Sequence, residues 1–207
     1  MIKILKISFL LIALSILCAP SCNDEQEANN REEEILNSAK NDIKKEFESD
    51  YLDEAALFAH EAAAIQKLID FSDYVKVLAD TSLELSFREK AGEMIANSFQ
   101  SKNILISLNQ DTESPQNEIT IQLLITSGLE NKPIIPPFHF DSLRIQEPLK
   151  RMGNSTYEGK ITCIQSFTQS SPAEKVTRTI DIFVSKKDKV FGPDTLKVWN
   201  TFLGEIR

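Results

Sequence analysis

Apolar side chains recur at helical spacing through the first half of the chain. Steps of three and four residues place side chains on one face of a helix, where they can be buried together. The clearest stripe comprises Leu57, Ala64, Leu68, Phe71, Val75 and Leu78. Ser86 followed by Glu89 has the spacing of a capping box and predicts the start of the next helix. The inner face of that helix is predicted to contain Phe87, Ala91, Met94, Ile95 and Phe99.

A weaker periodicity precedes this stripe. Between residues 31 and 50 an apolar side chain recurs at every fourth position among glutamates and lysines, which predicts a helical extension. The recurring residues are Ile35, Ala39, Ile43 and Phe47. This extension either packs on the body of the protein or lengthens its N-terminal connection.

Beyond residue 102 the pattern changes to that of short strands. Residues 104–106 are predicted to form a strand, and residues 109–117 a polar loop. The segment 119–128 fits two structures. Its alternating apolar residues favour a strand, whereas Gly128 as a stop signal permits a short helix.

The last third of the chain alternates most regularly. Strands are predicted over residues 142–145, 157–167, 176–185 and 195–202. In the third of these, one face carries Val176, Ile180, Ile182 and Val184, and the other carries Thr177, Thr179 and Asp181. Turns predicted at Gly153-Asn154 and at residues 186–189 make neighbouring strands antiparallel. The predicted class is α+β, with N-terminal helices packed on one face of a curved antiparallel sheet.

The charge of the chain argues against nucleic acid as a partner. The formal net charge is −8, and the charges clustered between residues 24 and 34 are mainly acidic. Nucleic acids and anionic lipid surfaces both attract basic patches. Association with a membrane must therefore depend on something other than charge.

The N-terminus supplies such a feature. Lys3 and Lys6 precede an apolar run over residues 7–17, and small or turn-forming residues follow at 19–21. This is the organisation of a signal peptide, so residues 1–21 are predicted to be removed. The run is shorter than the roughly 20 apolar residues of a transmembrane helix, and no later run is longer. The mature chain is therefore predicted to contain no transmembrane helix.

The end of this leader, Ala19-Pro20-Ser21-Cys22, resembles the lipobox of bacterial lipoproteins that signal peptidase II cleaves. The resemblance implies cleavage before Cys22 and attachment of lipid to that cysteine. Ala19 stands where the motif favours leucine, so secretion after cleavage by an ordinary signal peptidase is the alternative. Cys18 is a poorer acceptor because the bulky Leu17 precedes it.

Residues 22–30 are predicted to form an acidic, flexible tether after the lipid. Residues 23–27 also resemble the acidic export tag of some surface lipoproteins, whereas a solvated tether needs no receptor. Two or more acyl chains hold a protein stably on a membrane. The predicted location is the cell envelope, at the outer membrane, in either the periplasmic or the surface-exposed leaflet.

The order of predicted elements and the C-terminal residues Trp199, Leu203, Gly204 and Ile206 resemble uncharacterised bacterial members of the nuclear transport factor 2-like superfamily. Further matches are Arg88, Ala91, Met94, Phe99, Tyr157, Gly159 and Gln165. The resemblance covers residues 54–207. It implies a cone-shaped α+β domain, taken to begin at residue 51, and a helix over residues 119–127.

Enzymes of that superfamily, such as ketosteroid isomerases and polyketide cyclases, place an acidic base and a hydrogen-bond donor inside the cone. The resemblance makes Asp181 and Tyr157 the candidate catalytic pair, since both lie on predicted strands. An outward-facing Asp181 and a core Tyr157 are the simpler alternative.

Other reactive residues indicate no further chemistry. The segment His139-Phe140-Asp141 offers two metal ligands, whereas a metal site needs more, and His60 is predicted to lie on a helix surface. Cys163 is predicted to be buried in the sheet, with no histidine assigned to activate it. The sequence contains no glycine-rich phosphate loop. No metal and no cofactor are predicted.

Taken together, these patterns favour a lipid-anchored envelope lipoprotein with a non-catalytic domain that binds a small hydrophobic ligand or another envelope protein. An envelope enzyme of the cyclase or isomerase type is the alternative, and a passive structural lipoprotein is a third possibility. These three hypotheses predict different interiors for the cone. Convergent polar groups favour an enzyme, an apolar lining favours ligand binding, and a filled interior favours assembly.

We expect the mature N-terminus to be an acylated Cys22, because the leader ends in a lipobox-like segment. Mass spectrometry of the N-terminal peptide checks this. Cys22→Ala should leave the precursor uncut, while Cys18→Ala serves as the control and should be processed normally. An unmodified Cys22, or a mature terminus at another residue, would contradict the lipoprotein interpretation.

Overall fold

The computed structural model describes residues 31, 34, 35, 38, 49–108, 118–153, 155–167, 175–192 and 194–207. The chain divides into two units, residues 1–46 and 47–207. In the first unit Arg31, Glu34, Ile35 and Ser38 are helical, whereas Ser49 and Asp50 in the second are not. The predicted helical extension therefore stops short of residue 50.

The described part of the second unit contains three helices and six strands. The helices are α1, Glu54–Ala79; α2, Leu85–Ser98; and α3, Ile121–Leu129. The strands are β1, Leu105–Ser107; β2, Glu118–Thr120; β3, Phe138–Arg151; β4, Thr156–Phe167; β5, Lys175–Phe191; and β6, Asp194–Ile206. None of the described helices combines the length and the apolar character needed to cross a bilayer.

The strands form one mixed sheet in the order β2-β1-β6-β5-β4-β3. Neighbours are antiparallel except β1 and β6, which run parallel where Ile106 pairs with Ile206. β2 and β3 lie at opposite edges of this sheet, which is not closed. The α+β class is confirmed. The prediction of a wholly antiparallel sheet is wrong because the C-terminal strand lies between β1 and β5 and runs in the direction of β1.

Helix α1 follows the predicted apolar stripe. Asp53 caps its N-terminus by accepting a hydrogen bond from the backbone N–H of Ala56 at 2.7 Å. The buried face contains Ala64, Leu68, Phe71, Ser72, Val75 and Leu78. Leu57, the first residue of the predicted stripe, is only half-buried. The 3.6-residue period therefore identified the face that packs on the sheet.

Helix α2 differs from its prediction at the start. Its N-cap is Glu84, which makes no capping hydrogen bond through its side chain, and Ser86 lies inside the helix, so the predicted capping box is wrong. Phe87 is 61% exposed instead of facing the core. The neighbouring Arg88 takes the inward position.

Arg88 is 3% exposed because its guanidinium satisfies the ends of two helices. Nε donates to the carbonyl of Leu78 near the end of α1 at 3.1 Å, and Nη2 donates to the carbonyl of Gly128 in α3. Nη1 donates to the side-chain oxygen of Asn131 at 2.6 Å. The last carbonyls of a helix lack intrahelical donors and carry partial negative charge, so a buried cation is stabilised there.

Gly128 permits the close approach of α3 to α1. A Cβ atom at this position would lie 2.5 Å from Cγ of Leu78, which is too near for any side chain. The helix predicted over residues 119–127 is confirmed for residues 121–127, whereas residues 119 and 120 belong to β2. Gly128, predicted as a stop signal, lies inside α3, which ends at Leu129.

The four C-terminal strands are longer than predicted. The turn predicted at residues 186–189 is wrong because these residues lie within β5, which pairs with β6 as far as Phe191 and Asp194. The chain reverses there at Gly192, whose φ of 62° glycine adopts readily. The other predicted turn is confirmed at Gly153, with a φ of 116°; Asn154 lies outside the described residues.

Phenylalanine side chains fill the space between α1 and the sheet. Phe71 contacts Phe99 edge to face at a ring-centroid distance of 5.0 Å, and Phe138 at 6.2 Å. Phe138 in turn contacts Phe140 at 5.1 Å. Burial is confirmed for the predicted core residues Leu68, Phe71, Phe99, Ile161, Ile180 and Leu203. Trp199, also predicted to be buried, is only partly buried and packs against this core.

Candidate functional site

Tyr157 belongs to the inner face of the sheet. Its ring is 4% exposed and packs edge to face on Trp199, with 5.5 Å between ring centroids. Its hydroxyl oxygen accepts a hydrogen bond from the backbone N–H of Leu52 at 3.0 Å. The hydroxyl therefore already has a hydrogen-bond partner in the backbone of the chain.

This contact is one of several that fix residues 49–52, which we call the docked segment, on the sheet. Trp199 Nε1 donates to the carbonyl of Ser49 at 3.1 Å. Lys186 Nζ lies 2.9 Å from a carboxylate oxygen of Asp50 and lowers the pKa of that carboxyl through a hydrogen bond and its charge. These tertiary contacts explain why the chain is not helical at residues 49 and 50.

Asp181 lies on the opposite face of the sheet. Tyr157 pairs across β4 and β5 with Val184, which is buried and shares its face. Asp181 is three positions from Val184 in a regular strand, so its side chain points the other way. The structure does not bring Asp181 and Tyr157 together.

The outer face is indented around Asp181. The indentation, here the outer-face pocket, has a volume of about 400 Å³. Its charged lining residues are Lys150, Lys160, Arg207, Glu147, Glu158 and Asp181. Its larger apolar residues are Pro148, Met152 and Phe183. Equal numbers of basic and acidic groups beside apolar residues suit a ligand that carries both signs of charge or neither.

Ion pairs neutralise much of this lining. Lys160 Nζ lies 2.8 Å from Glu147, and their hydrogen bond raises the pKa of Lys160 and lowers that of Glu147. Arg207 Nη2 lies 2.6 Å from Glu205 and 3.1 Å from Asp181. The hydrogen bond to Glu205 and then the charge of Asp181 raise the pKa of Arg207. Exposed pairs of this kind contribute little to stability, so their partners can be exchanged for a ligand at small cost.

A β-bulge shapes one wall of the pocket. Glu147 pairs with Lys160, and Lys150 with Glu158, so residues 148 and 149 both lie opposite Gly159. Pro148 has no N–H to donate to the sheet, which suits it to a bulge in an edge strand. A Cβ atom on Gly159 would lie 2.8 Å from the carbonyl oxygen of Glu147. The wall therefore requires glycine at position 159.

Sequence reasoning missed Arg178, which occupies the gap between Val176 and Ile180 on the buried face of β5. Its side chain is 2% exposed. Nε donates to Gln165 Oε1 at 2.8 Å and Nη1 to Ser107 Oγ at 3.3 Å. Burial lowers its pKa. The period of two places residue 178 inward, so strict alternation was the signal that could have revealed it.

Cys163 is buried in the sheet, as predicted, and pairs across β4 and β5 with Arg178. Burial raises the pKa of its thiol to about 12, partly offset by the charge of Arg178. The thiol is therefore protonated near neutral pH, where only the thiolate is a strong nucleophile.

The two histidines lie in separate places. His60 was predicted on a helix surface but is half-buried between α1 and β6, with Nδ1 2.8 Å from the hydroxyl of Thr201, and burial lowers its pKa. His139 Nε2 lies 3.0 Å from Asp141, whose same oxygen accepts a hydrogen bond from Ser166. No group of three or more metal-binding side chains occurs among the residues that the structure describes.

The proposed lipid site, Cys22, and the segments 1–21 and 22–30 lie outside the described residues. Searches for similar proteins, made with models of known families, curated proteins and solved structures, found no match. The site must therefore be interpreted from its own chemistry.

We expect Tyr157→Phe to destabilise the protein by about 1–2 kcal/mol, because the N–H of Leu52 would lose its acceptor. Tyr74→Phe is the matched control, since the Tyr74 hydroxyl makes no hydrogen bond within the described part of the chain. The free energy of unfolding in denaturant measures both. Equal stability of the two variants would show that the docked segment does not depend on this hydroxyl.

Proposed function

We propose that this protein is a lipid-anchored cell-envelope lipoprotein whose domain binds another envelope molecule without catalysing a reaction. The leader and the lipobox-like segment before Cys22 support the anchor. Support for binding comes mainly from the separation of Asp181 and Tyr157 by the sheet. A general base and a hydrogen-bond donor must reach the same substrate, and these two side chains face opposite sides.

The nuclear transport factor 2-like cone remains part of this proposal. Its support is the order of elements, in which two helices precede two short strands, a further short helix and a run of four long strands. Phe71 and Phe138, both fully buried, occupy the space between α1 and the sheet. A filled interior favours assembly with a partner over storage of a ligand inside the fold.

The outer-face pocket is the surface that we assign to binding. Its lining combines charged side chains with apolar residues such as Phe183, and the exposed ion pairs can exchange partners. Protein interfaces commonly combine an apolar centre with a polar rim. This makes a polar segment of another envelope protein the proposed occupant, and a small ligand of mixed charge the second choice.

Complementation of a deletion strain tests the proposal. Asp181→Asn retains an acceptor for Arg207 but cannot act as a base, so a binding protein with this change should still restore the phenotype. Lys160→Glu reverses a charge in the pocket and should fail to restore it. Lys90→Glu, at an exposed pair on α2, is the control and should restore it.

Protein abundance must be measured for each variant by immunoblot. Loss of complementation by Asp181→Asn at normal abundance, together with full complementation by Lys160→Glu, would contradict binding through the pocket charges and support an envelope enzyme that needs the Asp181 carboxylate. Full complementation by both variants would instead remove the outer-face pocket from the proposal.

A further inference from the structure

A second depression lies where the first turns of α1 meet the bulge of β3. This helix–bulge groove has a volume of about 720 Å³. Its apolar lining includes Leu57, Phe58, Pro148 and Leu149, and its acidic lining is Asp53, Glu54 and Glu61. Among the residues that the structure describes, no basic residue lines it, in contrast to the outer-face pocket, which shares Pro148 with it.

Phe58 is the least expected of these residues. Its side chain is 73% exposed although it lies on a helix whose opposite face is well buried. Glu54 precedes it by four positions and Glu61 follows it by three, so the two carboxylates lie on the same helix face, on either side of the ring. An exposed aromatic ring between two carboxylates is suited to a cation, which the ring face and both charges attract.

Within the domain, one exposed aromatic ring, that of Tyr51, is already covered by a cation. The guanidinium carbon of Arg151 lies 3.9 Å from the ring centroid of Tyr51 in the docked segment. No described cation covers Phe58 in this way. Because most of its surface is exposed, the ring is accessible to a cation from another molecule.

Two of the three carboxylates accept hydrogen bonds from the backbone, but each can accept more hydrogen bonds than it does. Asp53 accepts the capping hydrogen bond from Ala56, and Glu61 accepts a hydrogen bond from the backbone N–H of Leu149 at 2.8 Å. Each carboxylate can accept several hydrogen bonds, so both retain room for another donor. Glu54 has no hydrogen-bond or ion-pair partner within the described part of the chain.

We propose that the helix–bulge groove binds a basic, apolar peptide segment of a partner protein. An arginine or lysine side chain lies over the ring of Phe58 between Glu54 and Glu61, and its apolar neighbours contact Leu57 and Pro148. Charge complementarity selects this occupant. The same carboxylates repel an anionic bilayer surface. The proposal rests on the domain being a binding module and specifies the chemistry of a partner.

Direct binding of peptides to the full chain in detergent micelles tests this proposal. The probes are a short peptide of alternating arginine and leucine, a matched peptide of alternating glutamate and leucine, and one of alternating arginine and serine. The first should bind with an affinity that falls as salt is added, because screening weakens exposed charges. The second should not bind, and the third should bind more weakly because it lacks the apolar contacts.

Phe58→Ala should weaken binding of the arginine-leucine peptide by about tenfold or more, as expected for a central aromatic contact. Glu61→Gln keeps the acceptor for Leu149 but removes the charge, and should also weaken binding. The matched controls are Phe87→Ala and Glu89→Gln on α2, where both side chains are exposed. Neither control should change the affinity.

Equal affinity of the original chain and Phe58→Ala, or equal binding of the glutamate peptide, would overturn the proposal. So would protection of the first turns of α1 from hydrogen exchange in vesicles of phosphatidylethanolamine and phosphatidylglycerol without peptide, which would assign the groove to the bilayer. None of these three results would affect the complementation test of the outer-face pocket.

Discussion

The packing of Phe71 is the interaction on which the rest of the structure depends. Its fully buried ring joins α1 to Phe99 at the end of α2 and to Phe138 at the start of β3. Protein interiors are packed at the density of organic crystals, so side chains that fill a space fix the elements around it. Here they fix the helices on the inner face and leave the polar groups of the outer face available.

The two surface depressions follow from this arrangement and meet at one bulge. Pro148 lines both the outer-face pocket and the helix–bulge groove. The bulge is tied to α1 because Glu61 accepts a hydrogen bond from the backbone N–H of Leu149, a residue at the register shift between β3 and β4. The helix that fills the interior therefore also holds the edge strand in the shape that separates a balanced pocket from an acidic groove.

Periodicity predicted most of the fold, because the stripe of α1 and the alternation of β5 directly reflect which face is buried. Periodicity was a poorer guide where a buried polar side chain forms hydrogen bonds with residues distant in sequence. Arg88 displaced Phe87 from the core because its guanidinium binds helix ends that are distant in sequence. At Arg178 the period of two did indicate an inward position, but its partners Gln165 and Ser107 lie on other strands, so the sequence did not show how a buried guanidinium is satisfied. Asp181 and Tyr157 were correctly placed on strands, but only the register shows that they face opposite ways.

The most direct test of the filled interior is the free energy of unfolding of Phe71→Ala, measured in denaturant beside Phe87→Ala as the exposed control. A fully buried phenylalanine should cost about 3–5 kcal/mol when truncated, since the change removes apolar burial and leaves a cavity. The control should change stability by less than about 1 kcal/mol. A loss below about 1 kcal/mol for Phe71→Ala would place its ring outside the core and contradict the account.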